Sequence, residues 1–458
     1  MSLRSPLGAA QGASIELARD GFGLPVTQSR SRSGLAALAV LLVAGAVLAV
    51  CAPQTTLLLP ESVRPVPAFL AGVFRGVGVS LGSAGLVVTL TITFGAYAMA
   101  VQRAELLSAR TVLASIAALH ALVLLAPPLL STDVFSYQAY ARMFADYGAN
   151  PFLHGPHAIA LDPVYPYVGA KWWNTPTAYG PLFTAFSALL APLSIAGSVI
   201  AYKAIATVAS LSVVAMVWNT AHLRGVDPVK AVALVGLNPL LVIYGVGGGH
   251  NDLLMLAALM GSISFLLAQR ERAAATSMVL GVAIKLTGAL LAPFVLAGPL
   301  RGQWRRFAVT GAVLTAAVMA GTLALFGTGS VHLLHTLRHI QSLGDWHSVP
   351  GFVSTRLGFG TVGHVVGVVL GAVFVAILAW LLRRVWRGEM DWIDGAAWAT
   401  AVMLLAASSI LPWYVAWLLP LAALAHDRRL IGASLRITGL VMLITLIGYI
   451  PHGYSVSL

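Results

Sequence analysis

The chain has 458 residues, 59% of them hydrophobic and only 9% charged, with a mean hydropathy of +0.88. Soluble domains carry about 25% charged residues, so this composition excludes an ordinary soluble domain and points to an integral membrane protein. The formal net charge is +12, but the basic residues lie between apolar segments, so a positive-inside bias explains them and no nucleic-acid partner is expected.

Residues 1–33 read as a disordered cytoplasmic tail bearing Arg4, Arg19, Arg30 and Arg32. The apolar segment 34–52 follows this polar tail without a convincing cleavage site, so it is expected to be a retained helix rather than a signal peptide. Cys51 is the single cysteine, which excludes an intramolecular disulfide. Further apolar segments follow at 77–101, 111–130, 182–195, 198–221, 231–247, 253–269, 273–298, 307–326, 363–382, 395–411, 412–425 and 430–450. They predict an all-α, polytopic transmembrane helical bundle of about 11–14 membrane segments crossing a ~30 Å hydrocarbon core. The short alternating strands of an outer-membrane barrel are missing from the pattern. Residues 34–458 then form one transmembrane domain, multi-pass in the plasma membrane.

Orientation follows from the arginines. With the tail inside, the clusters Arg103/Arg110, Arg224/Lys230, Arg270/Arg272, Arg301/Arg305/Arg306, Arg383/Arg384/Arg387 and Arg428/Arg429 also fall inside. This requires 182–195 to be a short re-entrant or juxtamembrane helix and 273–298 a bent pair of half-helices. Eighteen of the 27 Lys and Arg are then cytoplasmic and six extracytoplasmic, leaving Lys203, Lys285 and Arg436 within segments. Three regions face outside: 53–76, 131–181 and 327–362. The last two are long for a compact bundle, and loops of that length are usually functional when their composition is not that of disorder. The 131–181 loop is dense in aromatic residues, among them Tyr137, Trp172 and Tyr179. Such density suits interfacial helices or a sugar-stacking surface.

"STDVFSYQAYARMFADYGANPF" opens that loop and carries Asp133 directly after the third helix. If the helix continues past it, Asp133, Tyr137 and Tyr140 share one face at i, i+4 and i+7. Partial desolvation there would raise the carboxyl pKa and its strength as a base. The plainer reading is an Asp capping an interfacial helix that starts at Val134. Arg142 and Asp146 are spaced for a local ion pair, and Asn150 belongs to the Asn-Pro-Phe turn. In "GVGGGHNDLLM", three glycines precede His250, Asn251 and Asp252 at the outer end of a segment. One polar residue suffices to cap the helix beginning at Leu253, and here there are three, at a depth where polar groups are costly. Lys285 is a lone cation inside an apolar stretch; it snorkels or meets a phosphate. Residues 330–352 set His332, His335 and His339 at helical spacing with Arg338 nearby. No HExxH or cysteine pair supports zinc, so an amphipathic surface helix is the better reading. "ILPWYVAWLLP" puts Trp413 and Tyr414 at an outer turn, where interfacial anchoring explains them.

Together with "TAYGPLF", these blocks occur in an order that resembles the GT-C class of membrane glycosyltransferases. More narrowly, they resemble the polyprenyl-phosphate-mannose-dependent α-1,6-mannosyltransferases of actinobacterial envelopes. The resemblance implies transfer of mannose from polyprenyl-phosphate-mannose to a lipomannan-like glycolipid or oligomannoside acceptor, at an extracytoplasmic site. It maps the essential acidic residue near the start of the first long loop onto Asp133. Many class members have a paired acidic motif there, whereas this chain has Thr132–Asp133. That departure leaves the use of a divalent metal ion open, and no other cofactor is expected. Leaving-phosphate charge would be met by Lys285, Arg338, Arg356 or His250, with His339 nearby. A β-linked donor giving an α product implies inversion in one displacement. The rivals are a GT-C enzyme using another polyprenyl-phosphate sugar such as arabinose, a lipid or sugar transporter, and a non-catalytic scaffold.

Overall fold

Lipid offers no partners for backbone N–H and C=O groups, so apolar chain folds into helices that satisfy these groups internally. The computed structural model describes residues 26–449 apart from 303, 344–347 and 359; no side chain is described at 26–30, 342, 343, 355, 356, 361, 362 or 364. Among the described residues there is no strand. The helices are α1 (Val26–Cys51), α2 (Ser83–Arg103), α3 (Ala109–Leu125), α4 (Asp133–Ala145), α5 (Pro181–Ala188), α6 (Ile195–Arg224), α7 (Pro228–Gly236), α8 (Asp252–Leu267) and α9 (Glu271–Ile284). They continue as α10 (Ala292–Ala297), α11 (Arg305–Phe326), α12 (Leu333–Leu343), the single turn α13 (Val349–Gly351), α14 (Thr361–Trp386), α15 (Trp392–Ala406), α16 (Leu419–Leu424) and α17 (Arg429–Tyr449). Because α1 begins at Val26, residues 26–33 of the expected tail are helical; residues 1–25 lie outside the described residues.

Helices α1, α2, α6, α11, α14 and α17 are long and apolar enough to cross a membrane. A bent pair, α7 and the following segment Leu240–Val246, which meet at 47°, is long and apolar enough only when taken together. The sequence reads as one apolar run there, 231–247, and the structure breaks it at Asn238–Pro239. Pro239 supplies no N–H, and Asn238 fills the gap. Its Oδ1 accepts from Leu240 and Leu241, while its amide donates to the Tyr97 and Thr438 hydroxyls at 3.1 Å each. Shorter apolar helices such as α3, α8 and α15 complete an all-α polytopic bundle. Segment 182–195 becomes the short α5, and 273–298 becomes α9 and α10 separated by a break at Lys285.

Polar contacts sort the connections to two ends of the bundle. At one end Lys230 pairs with Glu105 at 2.7 Å and Arg224 with Asp391 at 2.8 Å, joining connections rich in arginine. At the other end Ser62 donates to Tyr167 O, Leu130 N to Leu58 O, Asn150 to Phe326 O and Ser348 to Ser408 O. Those bonds tie 53–76, 131–181, 327–362 and the turn before Pro412 into one cap. Local spacing misjudged one pair in this cap. Arg142 does not bridge to Asp146, which is exposed and solvated. Its guanidinium reaches the buried Asp162 at 2.9 Å and Leu193 O at 3.0 Å. An enclosed carboxylate needs a cation far more than a solvated one does.

Candidate active site

Three breaks in the helices build the site. The first follows α3, which stops at Leu125 before Pro127 and Pro128 rather than continuing to Leu130 and beyond. A new helix, α4, begins at Asp133, with Thr132 at its N-cap and the Asp133 N–H donating to the Ser131 hydroxyl at 3.2 Å. Asp133 therefore occupies the first turn of a separate helix, where a carboxylate suits the helix dipole. Tyr137 lies one turn on, with its hydroxyl 3.5 Å from Asp133 Oδ2 and 3.4 Å from Asn251 Oδ1.

The second break is the GGGHND turn. Its glycines let the backbone lie against the loop that leads into α4: Leu129 N–H donates to Gly247 O at 3.1 Å. Gly249 has φ +65, and a Cβ there would stand 2.6 Å from Val134 Cγ1. Only glycine fits both demands. This close approach sets His250 Nδ1 3.2 Å from Asp133 Oδ2, and the imidazole stacks on Trp413 with centroids 3.6 Å apart. Asn251 donates its N–H to the Tyr137 hydroxyl at 3.3 Å.

The third break ends α9. Gly180 of the Tyr-Gly-Pro-Leu motif packs so tightly on it that a Cβ would meet Ala283 O at 2.1 Å, while the Gly180 N–H donates to Ile284 O at 2.9 Å. Lys285 then leaves the helix with extended backbone, φ −153 and ψ 123. Its ammonium reaches Asp252 Oδ1 at 2.7 Å and lies over the rings of Tyr414 (4.7 Å) and Trp417 (5.4 Å). Trp417 Nε1 donates to the same Asp252 oxygen at 2.7 Å.

Asp133, Lys285, Tyr140, Trp172, Tyr179, Tyr414 and Trp417 line one cavity of about 560 Å³. Leu337 and Ile340 of α12, Gly367, Gly371 and Phe374 of α14 and Leu404 of α15 add an apolar part to the lining, beside the polar Gln341, Ser408 and Ser409. Burial pushes the Asp133 carboxyl up, but the contact with His250 and the nearby Lys285 ammonium outweigh it and hold the group below the usual carboxylate range. The rise expected from desolvation alone is thus reversed by the His250 contact and the Lys285 ammonium. Asp133 is a carboxylate at neutral pH, able to accept a proton.

The structure gathers Asp133, Tyr137, Tyr179, His250, Asn251, Asp252, Lys285, Trp413 and Tyr414 here, with Trp172 at the loop side. It places Arg142 and Asn150 elsewhere, in contacts that hold the loop together. Arg338 and His339 are exposed on α12, outside the cavity lining. The side chain of Arg356, and residues 345–347 beside the histidine stretch, lie outside the described residues. Among the described residues no three His, Cys, Asp or Glu side chains come together to hold a metal ion. Trp417 and Lys171 escaped the sequence reading. The i, i+3 spacing of Trp417 from Tyr414, whose rings stack with centroids 4.1 Å apart, could have found the first, and the lone cation amid loop aromatics the second.

Residues 31–301 match the family model described as "Alpha-(1->6)-mannopyranosyltransferase, N-terminal domain", and residues 341–456 match one described as "MptB C-terminal domain". Alpha-(1->6)-mannopyranosyltransferase A of Mycobacterium tuberculosis is 29% identical over 354 residues, which cover 70% of this chain and 67% of that protein. A probable alpha-(1->6)-mannopyranosyltransferase of Mycolicibacterium smegmatis is 31% identical over 374 residues, covering 70% of this chain and 66% of its own length. Alpha-(1->6)-mannopyranosyltransferase A of Corynebacterium glutamicum is 27% identical over 340 residues, with 65% and 68% covered. The chain thus spans about two thirds of the length of these relatives. No solved structure matches it. With more than half of its residues matched by the first model, the chain belongs to the alpha-(1->6)-mannopyranosyltransferase family.

Proposed function

We propose that this protein transfers mannose from polyprenyl-phosphate-mannose to an α-1,6-linked mannoside of an envelope glycolipid, at the extracytoplasmic face of the plasma membrane. One observation carries the reading: a carboxylate and an ammonium, Asp133 and Lys285, line a cavity whose lining is otherwise largely apolar and aromatic. A water-soluble sugar donor has no use for so much apolar lining, whereas a lipid-linked one does. The relatives' names supply the sugar and the linkage.

In this reading the acceptor hydroxyl oxygen attacks the anomeric carbon and its proton passes to Asp133. The bond from that carbon to the phosphate oxygen breaks, and the phosphate leaves with the bonding pair as an anion facing Lys285. Donors preset toward developing charge act without reorganising at the moment of reaction. A single displacement inverts the anomeric centre, so no covalent nucleophile is needed. Tyr179, Trp172 and Lys171, on the loop side of the cavity, suit the sugar-bearing acceptor. The aromatic rings stack on sugar faces, while the α12 and α14 side takes the isoprenoid. The end of the bundle that carries the site lacks the arginine clusters, which supports an extracytoplasmic position.

The test is direct. Purified protein incubated with radiolabelled polyprenyl-phosphate-mannose and a short α-1,6-mannoside should extend the acceptor. Extension only with a polyprenyl-phosphate pentose would change the donor, and extension with a nucleotide sugar alone would overturn the reading.

A further inference from the structure

Asp252 takes no part in the transfer step above, yet it is 2% exposed and sits directly behind the cavity. Its Oδ1 accepts two hydrogen bonds of 2.7 Å, from Lys285 Nζ and from Trp417 Nε1. Its Oδ2 is enclosed by protein. Lys285 and Trp417 both line the cavity; Asp252 does not. The carboxylate therefore works on its neighbours rather than on a ligand.

Lysine is a flexible point charge with three N–H donors, and fixing it costs rotamer freedom. Here much of that cost is met before any ligand arrives. The chain break puts Lys285 at the cavity edge, Asp252 takes one of its donors, and the rings of Tyr414 and Trp417 flank the ammonium. The Trp417 indole in turn fixes the carboxylate. Groups arranged in advance bind an anion more tightly than groups that must be ordered by it.

Resting on the donor class proposed above, we propose that Asp252 and Trp417 are positioning residues that aim the Lys285 ammonium at the donor phosphate. The three residues form one anion subsite. As the phosphate leaves, its charge grows from that of a diester to that of a monoester, and the preset ammonium stabilises the increase. Asp252 itself does not take the acceptor proton, because Oδ1 is held by two donors and Oδ2 is closed off.

The experiment uses the purified full chain, radiolabelled lipid-linked donor, oligomannoside acceptor and a short-chain polyprenyl phosphate as competing probe. Trp417→Phe keeps the ring but removes the N–H. It should raise the donor KM and the inhibition constant of the probe about tenfold, the range for a lost hydrogen bond to a charged group. Acceptor KM and the acid limb of the pH profile should stay unchanged. Asp252→Asn should shift the same two constants, and Lys285→Met should abolish competition by the probe. A merely structural role predicts lowered thermal stability with losses spread equally over donor and acceptor; that pattern, or unchanged donor constants in both Trp417→Phe and Asp252→Asn, overturns the proposal. If the wild-type protein transfers nothing from the lipid-linked donor yet binds the probe through Lys285 and Trp417, the reaction proposed above fails and the anion subsite stands.

Discussion

Replacing Asp133 by Asn removes a proton acceptor while keeping its volume and much of its hydrogen bonding. The cost should fall on turnover rather than on the fold. The interactions that the carboxylate makes with its neighbours are long: the Tyr137 hydroxyl stands 3.5 Å away and His250 Nδ1 3.2 Å away, and both can still meet an amide. The backbone bond to Ser131 and the start of α4 do not depend on the carboxylate charge. The stability change should therefore be small beside the loss of rate, on the order of one long hydrogen bond, about 1 kcal/mol. Loss of a positioned general base costs about 10²–10⁴ in rate, or roughly 3–5 kcal/mol of barrier. The assay is transfer of radiolabelled mannose by purified wild-type and Asp133→Asn protein, at saturating donor and acceptor, with a thermal melt of each. Near wild-type turnover in a folded Asp133→Asn protein would refute the assignment. A large loss of stability with little loss of activity would leave Asp133 a structural role in the first turn of α4.

Other perturbations read different parts of the structure. Because His250 and Lys285 outweigh burial at Asp133, the acid limb of wild-type activity should lie below the ordinary carboxylate value of about 3.9. The sign for stability is the same: with the folded pKa depressed, this group stabilises above the unfolded value, and the contribution vanishes as pH falls through the folded one. An acid limb near neutrality that Asp133→Asn abolishes would contradict it. Gly180→Ala should destabilise by about 2 kcal/mol or more and impair donor binding, since its Cβ would overlap Ala283 O and shift the Lys285 break. A melt with a donor titration checks this, and an unchanged pair of values would count against the tight approach. Gly371→Leu projects into open space on the cavity wall. It should raise KM about tenfold for a long-chain donor but not for a short-chain one, measured by comparing donors of two lengths. Leu161 is 99% exposed, so in a Cys51→Ala background Leu161→Cys should react with an impermeant thiol reagent in intact cells. Labelling only after permeabilisation would reverse the topology.

The membrane class, the all-α architecture and most helix positions follow from composition and apolar run length, because a helix in lipid depends chiefly on its own residues. The same holds for the partition of arginines to one end. Residues that touch through a turn of one helix, such as Asp133 and Tyr137, were legible for the same reason. Contacts between distant breaks were not. Lys285 meets Asp252 across 33 positions, and Trp417 meets it across 165; no local periodicity encodes either pairing. The spacing of Arg142 and Asp146 suggests a pair on one helix, but the fold buries Asp162 beside the arginine, and the enclosed carboxylate takes the cation. Likewise the 231–247 run looks continuous until Asn238 finds Tyr97 and Thr438 on other helices to hold its bend. Local pattern determined where the polar groups stand along the chain. Only tertiary packing, through glycines that let three chain breaks approach closely, decided which of them share one cavity.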